Sequence, residues 1–234
     1  MKLETLEAMN AARRERRAGA LVTRLSDGAQ RFVAAGAVAA DPLAEALDAA
    51  LRSGRSGLVD DAGESCFLTV LTPPVRLVMI GAVHISQALA PIARIAGLDP
   101  TIIDPRTAFA TPERFPDVPL IAQWPEEALA AAPLDRYTAI CLLSHDPKID
   151  DRALVRALGA DCFYIGALGS RKTHAKRIER MRAEGFGDKA LARIHAPIGL
   201  DIGAVSPAEI AVSIMGEIVA ALRKKPLHAE GAAS

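Results

Sequence analysis

Four short stretches hold residues whose types and spacing suit chemistry. In Leu142-Leu143-Ser144-His145-Asp146-Pro147 a hydroxyl, an imidazole and a carboxylate leave an apolar run one after another. His145 is able to donate, accept or ligate, and Asp146 to orient it; the rival reading is a solvated loop that Asp146-Pro147 merely opens. In Gly166-Ala167-Leu168-Gly169-Ser170-Arg171-Lys172-Thr173-His174 a turn with two glycines enters a cation-rich helix. Backbone N–H groups at that helix start, with Arg171 or Lys172, suit a phosphate. The rest of the basic run, Lys176, Arg177, Arg180 and Arg182, reads as a solvated face or a partner surface. In His195-Ala196-Pro197-Ile198-Gly199-Leu200-Asp201-Ile202-Gly203, turn formers and the titratable His195 and Asp201 suit a loop over a crevice, or a plain connection.

The remaining stretch, Gly81-Ala82-Val83-His84-Ile85-Ser86, follows an apolar run, and Asp104 ends the next one. That is where a dinucleotide fold keeps its glycine-rich turn and the acid that holds a ribose hydroxyl. Val83 stands where the second glycine lets a pyrophosphate approach bare backbone, so NAD(H) and NADP(H) are expected to bind weakly or not at all. A turn that keeps the fold without the ligand is the alternative. None of these stretches has H-x-x-x-H metal spacing, and no serine sits in a nucleophile elbow, which argues against hydrolase and metalloenzyme chemistry.

The elements around them follow from periodicity. Val75 to Ile80 and Tyr137 to Leu143 are nearly continuous apolar runs, as expected for strands buried on both faces of a parallel sheet. Further strands are expected at Pro100–Ile103 and Asp161–Ile165. Helices are expected at His84–Ala96, from Trp124 as a capped helix, at Asp150–Leu158, from Ser170, and from Ser206. The last opens with the capping box Ser206-Pro207-Ala208-Glu209. Strand and helix in alternation, joined by connections too long for hairpins, predict βαβ units and a Rossmann-like α/β sheet. Before Thr72-Pro73-Pro74 the pattern is different. A helix over residues 3–18, a hairpin about Asp27-Gly28, a helix opened by Asp41-Pro42 and a second hairpin across residues 60–63 make a small α+β unit. The expected division is residues 1–72, 73–225 and a tail at 226–234.

Composition narrows the class. The 234 residues are 50% hydrophobic and 24% charged, with 28 Lys+Arg against 28 Asp+Glu. A globular chain without net charge has no global field for nucleic acid or an anionic membrane, so any anion site must be local. Aromatics at 4% offer no stacking platform for bases. Cys66, Cys141 and Cys162 form no C-x-x-C pair, and Met1–Arg17 has no signal-peptide core, so a cytoplasmic protein is expected.

Several blocks in order resemble the XdhC/CoxI family, accessory proteins that mature xanthine dehydrogenase, CO dehydrogenase and related molybdenum hydroxylases. They are Arg76–His84, Phe109–Phe115, His145–Lys148, Gly166–Arg171, His195–Gly203 and Ser206–Ala211. The resemblance implies a C-terminal Rossmann domain behind a smaller N-terminal domain, and the task of binding the molybdenum cofactor (molybdopterin). It also implies partnership with a cysteine desulfurase, which sulfurates the cofactor, and with a molybdenum hydroxylase apoenzyme that receives it. Cofactor-binding candidates are then Gly81, His84, Asp104, His145, Asp146, Gly166, Gly169, Ser170, Arg171, Lys172, His195 and Asp201. Two departures stand out. Val83 replaces a glycine of the usual Gly-Ala-Gly-His turn, and residues 1–72 lack the family's Gly-Ser-x-Pro-Arg and Gly-Gly-Cys-x-Glu segments. An NAD(P)-dependent oxidoreductase and a cofactor-free scaffold remain alternatives, and the oligomeric state stays open, a homodimer included.

Overall fold

The computed structural model describes residues 1–61 and 63–224; the tail expected at 226–234 lies outside them. The described chain forms two compact units, which divide between Pro73 and Pro74.

In the first unit, α1 (Leu3–Arg14) ends earlier than its sequence suggests, and Arg16 takes a left-handed φ of 52° just after it. Strands β1 (Gly19–Arg24) and β2 (Gln30–Ala34) form the hairpin about Asp27-Gly28, with Gly28 at φ 71°. The second helix, α2 (Ala44–Ser53), does not begin at Asp41. The Asp41 carboxylate accepts the Leu43 N–H and is forked by Arg31, so it braces a turn just before the helix. Strands β3 (Gly57–Asp61) and β4 (Glu64–Leu71) complete an antiparallel sheet in the order β2-β1-β4-β3.

The second unit is a parallel, doubly wound sheet. Its strands are β5 (Arg76–Ile80), β6 (Asp99–Ile103), β7 (Leu120–Ile121), β8 (Thr138–Leu142), β9 (Tyr164–Ala167) and β10 (Ile194–His195), in the order β10-β9-β8-β5-β6-β7. Every pairing among them is parallel. In β5, Leu77 and Met79 enter one apolar layer, Val78 and Ile80 the other, which explains the unbroken apolar run. Each such fully buried side chain stabilises the fold by roughly 1.5–3 kcal/mol. The first layer is closed by α3 (His84–Ile95) and α8 (Pro207–Lys224). The second is closed by α4 (Pro125–Ala131), α5 (Pro147–Leu158), α6 (Arg171–Ala183) and α7 (Asp188–Leu191).

Some boundaries differ from the sequence expectation for local reasons. Helix α5 starts at Pro147 and not at Asp150, because Asp146 caps it and proline suits the first helical position. Helix α4 begins at Pro125 with no side-chain cap. The two-residue strands β7 and β10 carry no periodicity a sequence could display. The Ser206 box forms as expected, with Glu209 Oε2 accepting the Ser206 N–H at 2.8 Å. No helix among the described residues is long and apolar enough to cross a membrane.

Candidate functional site

Helix α3 lies on one face and α5 on the other, so the chain reverses its winding between β5 and β8. Open α/β sheets bind ligands at the carboxyl edge of such a switch point. Gly81, at φ 115°, leaves β5 there. A Cβ on it would stand 2.8 Å from the Ser144 nitrogen and 2.9 Å from Ser144 Cα, so this glycine lets two turns touch. Ser86 Oγ donates to the Gly81 carbonyl at 2.6 Å, and His84 is exposed at the first position of α3. Val83 is half-buried and packs against the apolar layer beneath α3, so less of it stands over the turn than the sequence suggests.

Asp104 is fully buried, and its oxygens are engaged within the chain. Oδ2 accepts from the Ala82 N–H at 2.7 Å and Arg106 Nη2 at 2.8 Å; Oδ1 accepts from the Arg106 N–H and Nε, both at 2.9 Å. Burial alone would raise the carboxyl pKa, but these donors outweigh it and hold the group below the usual carboxylate range. Asp104 is therefore a brace and not the free ribose acceptor its position suggests. Arg106 lies over the Phe109 ring at 4.8 Å, and Arg114 donates to the carbonyls of Ala82 (3.0 Å) and Phe109 (2.8 Å). The loop after β6 is thus tied to the first turn.

On the other side of the switch, His145 is exposed and holds a left-handed φ of 62°, an uncommon state for a side chain with a Cβ. The turn beneath it hangs on Asp150. Ser144 Oγ donates to Asp150 Oδ1 at 2.6 Å and accepts the Asp146 N–H at 3.1 Å. Asp150 is 2% exposed, and burial pushes its pKa up to about 6 despite Ser144, Arg177 and His145. Next along the edge, the Leu168 N–H donates to the Leu142 carbonyl at 2.9 Å, which places the β8 and β9 turns side by side. His145 and Asp146 thus leave one strand, and Gly169, Ser170, Arg171 and Lys172 its neighbour. The N–H groups of Gly169, Ser170, Arg171 and Lys172 meet no acceptor among the described residues. Ser170 Oγ caps only the Thr173 N–H. Two expectations are corrected here. Gly166 is not a turn glycine: it lies inside β9, where a Cβ would strike Ile198 and the Tyr164 hydroxyl. Arg177 is not solvated: it is 3% exposed on the inner stripe of α6 with Ile178 and Met181.

His195 ends β10, paired with Gly166. Its Nδ1 lies 2.8 Å from Glu217 Oε1, and Glu217 Oε2 accepts from Tyr164 Oη at 2.6 Å and the Gly199 N–H at 2.7 Å. Burial would raise the Glu217 pKa, but these three donors hold it low. The network ties α8 to β9, β10 and the loop that carries Asp201, which is exposed. Sequence reasoning missed Asp150, Glu217 and Tyr164. Their only signal was a polar group at an inward-facing helical or strand position.

Residues 77–218 match the XdhC Rossmann domain family, more than half of the chain. The chain belongs to the XdhC family. Among its curated relatives is Escherichia coli YqeB, an uncharacterized protein, 31% identical over 77% of this chain and 35% of that one. Another is a Bacillus subtilis protein described as a probable xanthine dehydrogenase subunit, 31% identical over 68% of this chain and 46% of that one. A third is the E. coli molybdenum cofactor insertion chaperone PaoD, 32% identical over 62% of this chain and 40% of that one. The chain thus spans less than half the length of these relatives. A crystal structure described as a xanthine dehydrogenase from Bacillus halodurans superposes with a TM-score of 0.67 at 21% identity, covering 94% of this chain and 66% of that one, which supports the fold.

Proposed function

We propose that this XdhC-family chain is an accessory protein that binds the molybdenum cofactor, assists its sulfuration and hands it to a xanthine dehydrogenase-type molybdenum hydroxylase. The observation that carries the reading is the start of α6. Four successive N–H groups there lack acceptors among the described residues, beside the exposed cations Arg171 and Lys172 and next to His145 and Asp146 on the adjoining strand end. Such a turn suits the terminal phosphate of a pterin cofactor. The cofactor supplies the redox chemistry of the client; this chain's residues bind, orient and release it. The N–H groups of Gly169 to Lys172 with Arg171 would take the phosphate, and His145 and Asp146 would meet the polar ring edge. The chaperone name of one relative agrees with this role.

Nothing among the described residues favours a sulfur relay of the chain's own. Cys66, Cys141 and Cys162 are all buried. Burial drives the Cys141 thiol well above its ordinary range and the Cys162 thiol up to about 12, so both stay protonated and inert at neutral pH. The sulfur step then belongs to a cysteine desulfurase that meets the bound cofactor. The NAD(P)-dependent alternative is weakened by Asp104, whose oxygens are engaged by Arg106 and the Ala82 N–H. The deciding experiment co-expresses a client hydroxylase with wild type, with Arg171→Ala or with no accessory protein, and measures client activity and sulfurated cofactor. Wild type should activate the client, and Arg171→Ala should weaken cofactor binding by about threefold, the loss of one exposed and screened charge. Equal client activity in all three would end the chaperone reading.

A further inference from the structure

The start of α6 is distinguished by what lies beneath it. Arg177, 3% exposed, is on the second turn of the helix, and its side chain runs back toward the helix start. Its Nη2 donates to the Leu168 carbonyl at 2.8 Å, which fixes the guanidinium under the β9–α6 turn. Its Nε and Nη1 are buried and have no hydrogen-bond partner. Nδ1 of His174, one turn nearer the helix start, is buried and unpartnered as well. Asp150 and Asp151 act on Arg177 as charges across the gap to α5, yet Asp150 Oδ1 is held by Ser144 and Asp151 by Arg180. A guanidinium cannot escape its burial by losing a proton. A fold rarely keeps a buried cation with two idle donors unless something else answers them.

Above the same turn stand the four N–H groups of Gly169 to Lys172 that meet no acceptor among the described residues. We propose that the β9–α6 turn binds a tetrahedral dianion of the phosphate-monoester class, and that Arg177 is the buried cation that selects it. Arg171, Lys172 and Arg177 adjoin the turn and favour an anion there, with Asp150 and Asp151 acting on Arg177 from the α5 side. A tetrahedral oxyanion presents several oxygens in different directions, as a run of backbone N–H groups requires. Arg171 and Lys172 face solvent and contribute a screened attraction; Arg177 acts from within, where screening is weak. The inference deepens the reading of this turn as the cofactor's phosphate site and rests on it, but it is testable with no cofactor or client present.

The full chain is titrated with inorganic phosphate at constant ionic strength, with chloride as the balancing anion. Thermal unfolding and the ¹⁵N–¹H signal of Arg177 Nε are followed together. Phosphate at concentrations on the order of 10 mM should raise Tm by several degrees and move the Nε signal, and sulfate should do the same. Arg177→Met fills a similar volume without charge and should lower phosphate affinity at least about tenfold, against about threefold for Arg171→Ala. A stationary Nε signal in wild type, or wild-type affinity in Arg177→Met, would overturn the proposal; if that variant fails to fold, the wild-type signal alone decides. Arg177-dependent phosphate binding with no activation of a client would leave this site standing and remove the chaperone function. Activation without phosphate binding would do the reverse.

Discussion

Helices α5 and α6 leave neighbouring strands at one edge of the sheet, yet their first turns are completed differently. In α5, Pro147 has no N–H to satisfy, the Asp146 carboxylate accepts from Lys148 at 2.9 Å, and the Asp146 carbonyl accepts from Ile149 and Asp150. The chain answers its own donors. In α6 a serine caps one N–H, four others stay open among the described residues, and beneath them lies a buried guanidinium whose Nε and Nη1 have no hydrogen-bond partner. Both starts carry the same helix dipole. The dipole therefore does not distinguish the two starts; the unanswered donors and the buried charge behind them do, and on these the proposed ligand site rests. Helix α3 is intermediate. The N–H groups of Val83, His84 and Ile85 lack acceptors among the described residues, but no unpartnered buried cation lies behind them there.

The largest effect should come from breaking the α5 side. Gly81→Ala forces a Cβ against the Ser144 backbone in a conformation that already disfavours side chains. It should cost about 3 kcal/mol or more in urea unfolding; an unchanged midpoint would mean the two turns are not in tight contact. Next is Asp150→Asn, which keeps an oxygen for Ser144 and removes a buried charge. The folded carboxyl keeps its proton up to about pH 6, whereas the unfolded one, at its ordinary value of 3.8, loses it earlier. Its contribution to stability is therefore full below about pH 4 and is lost as pH rises through about 6. The variant should be more stable than wild type at pH 7.5, by up to about 3 kcal/mol, with the gain fading near pH 4. An equal gain at both pH values would assign it to something other than the charge.

Ser170→Asp transplants the α5 solution onto α6. Its carboxylate should occupy the open donors, raising stability by about 0.5 kcal/mol and lowering phosphate affinity at least about tenfold. Undiminished phosphate binding would mean the donors are not the site. The smallest effect is the converse. Asp146→Ala uncaps α5 at a cost of about 1 kcal/mol and should create no new phosphate response, because no idle buried cation lies under that turn among the described residues. A second phosphate site there would return the explanation to the helix dipole.

Much of the fold was legible because its signals are local. The apolar runs around β5 and β8, the Asp27-Gly28 hairpin and the Ser206–Glu209 box each encode their structure within a few residues. The start of α5 was not legible although its signal, Asp-Pro, was present, because the same pair also opens loops. Of the candidate site, the sequence marked the Gly169–Lys172 turn and His145-Asp146. It also set Asp104 at a strand end, but not the Arg106 fork that engages it.

What the sequence alone determined is the longer strands and helices, the parallel character of the second unit and the strand ends that carry polar groups. Burial pattern and capping act between near neighbours, so one chain read in order contains them. The tertiary structure decided which ends become neighbours and which charges go inside. Glu217 meets Tyr164 and His195 only because α8 returns to β9 and β10. Arg177 belongs by residue type to a basic surface and by helical stripe to the interior, beside Met181. Composition cannot choose between those two readings. The choice depends on whether α5 closes over that stripe, and so on contacts between segments distant in the sequence, where the free energy of burying a charge is set.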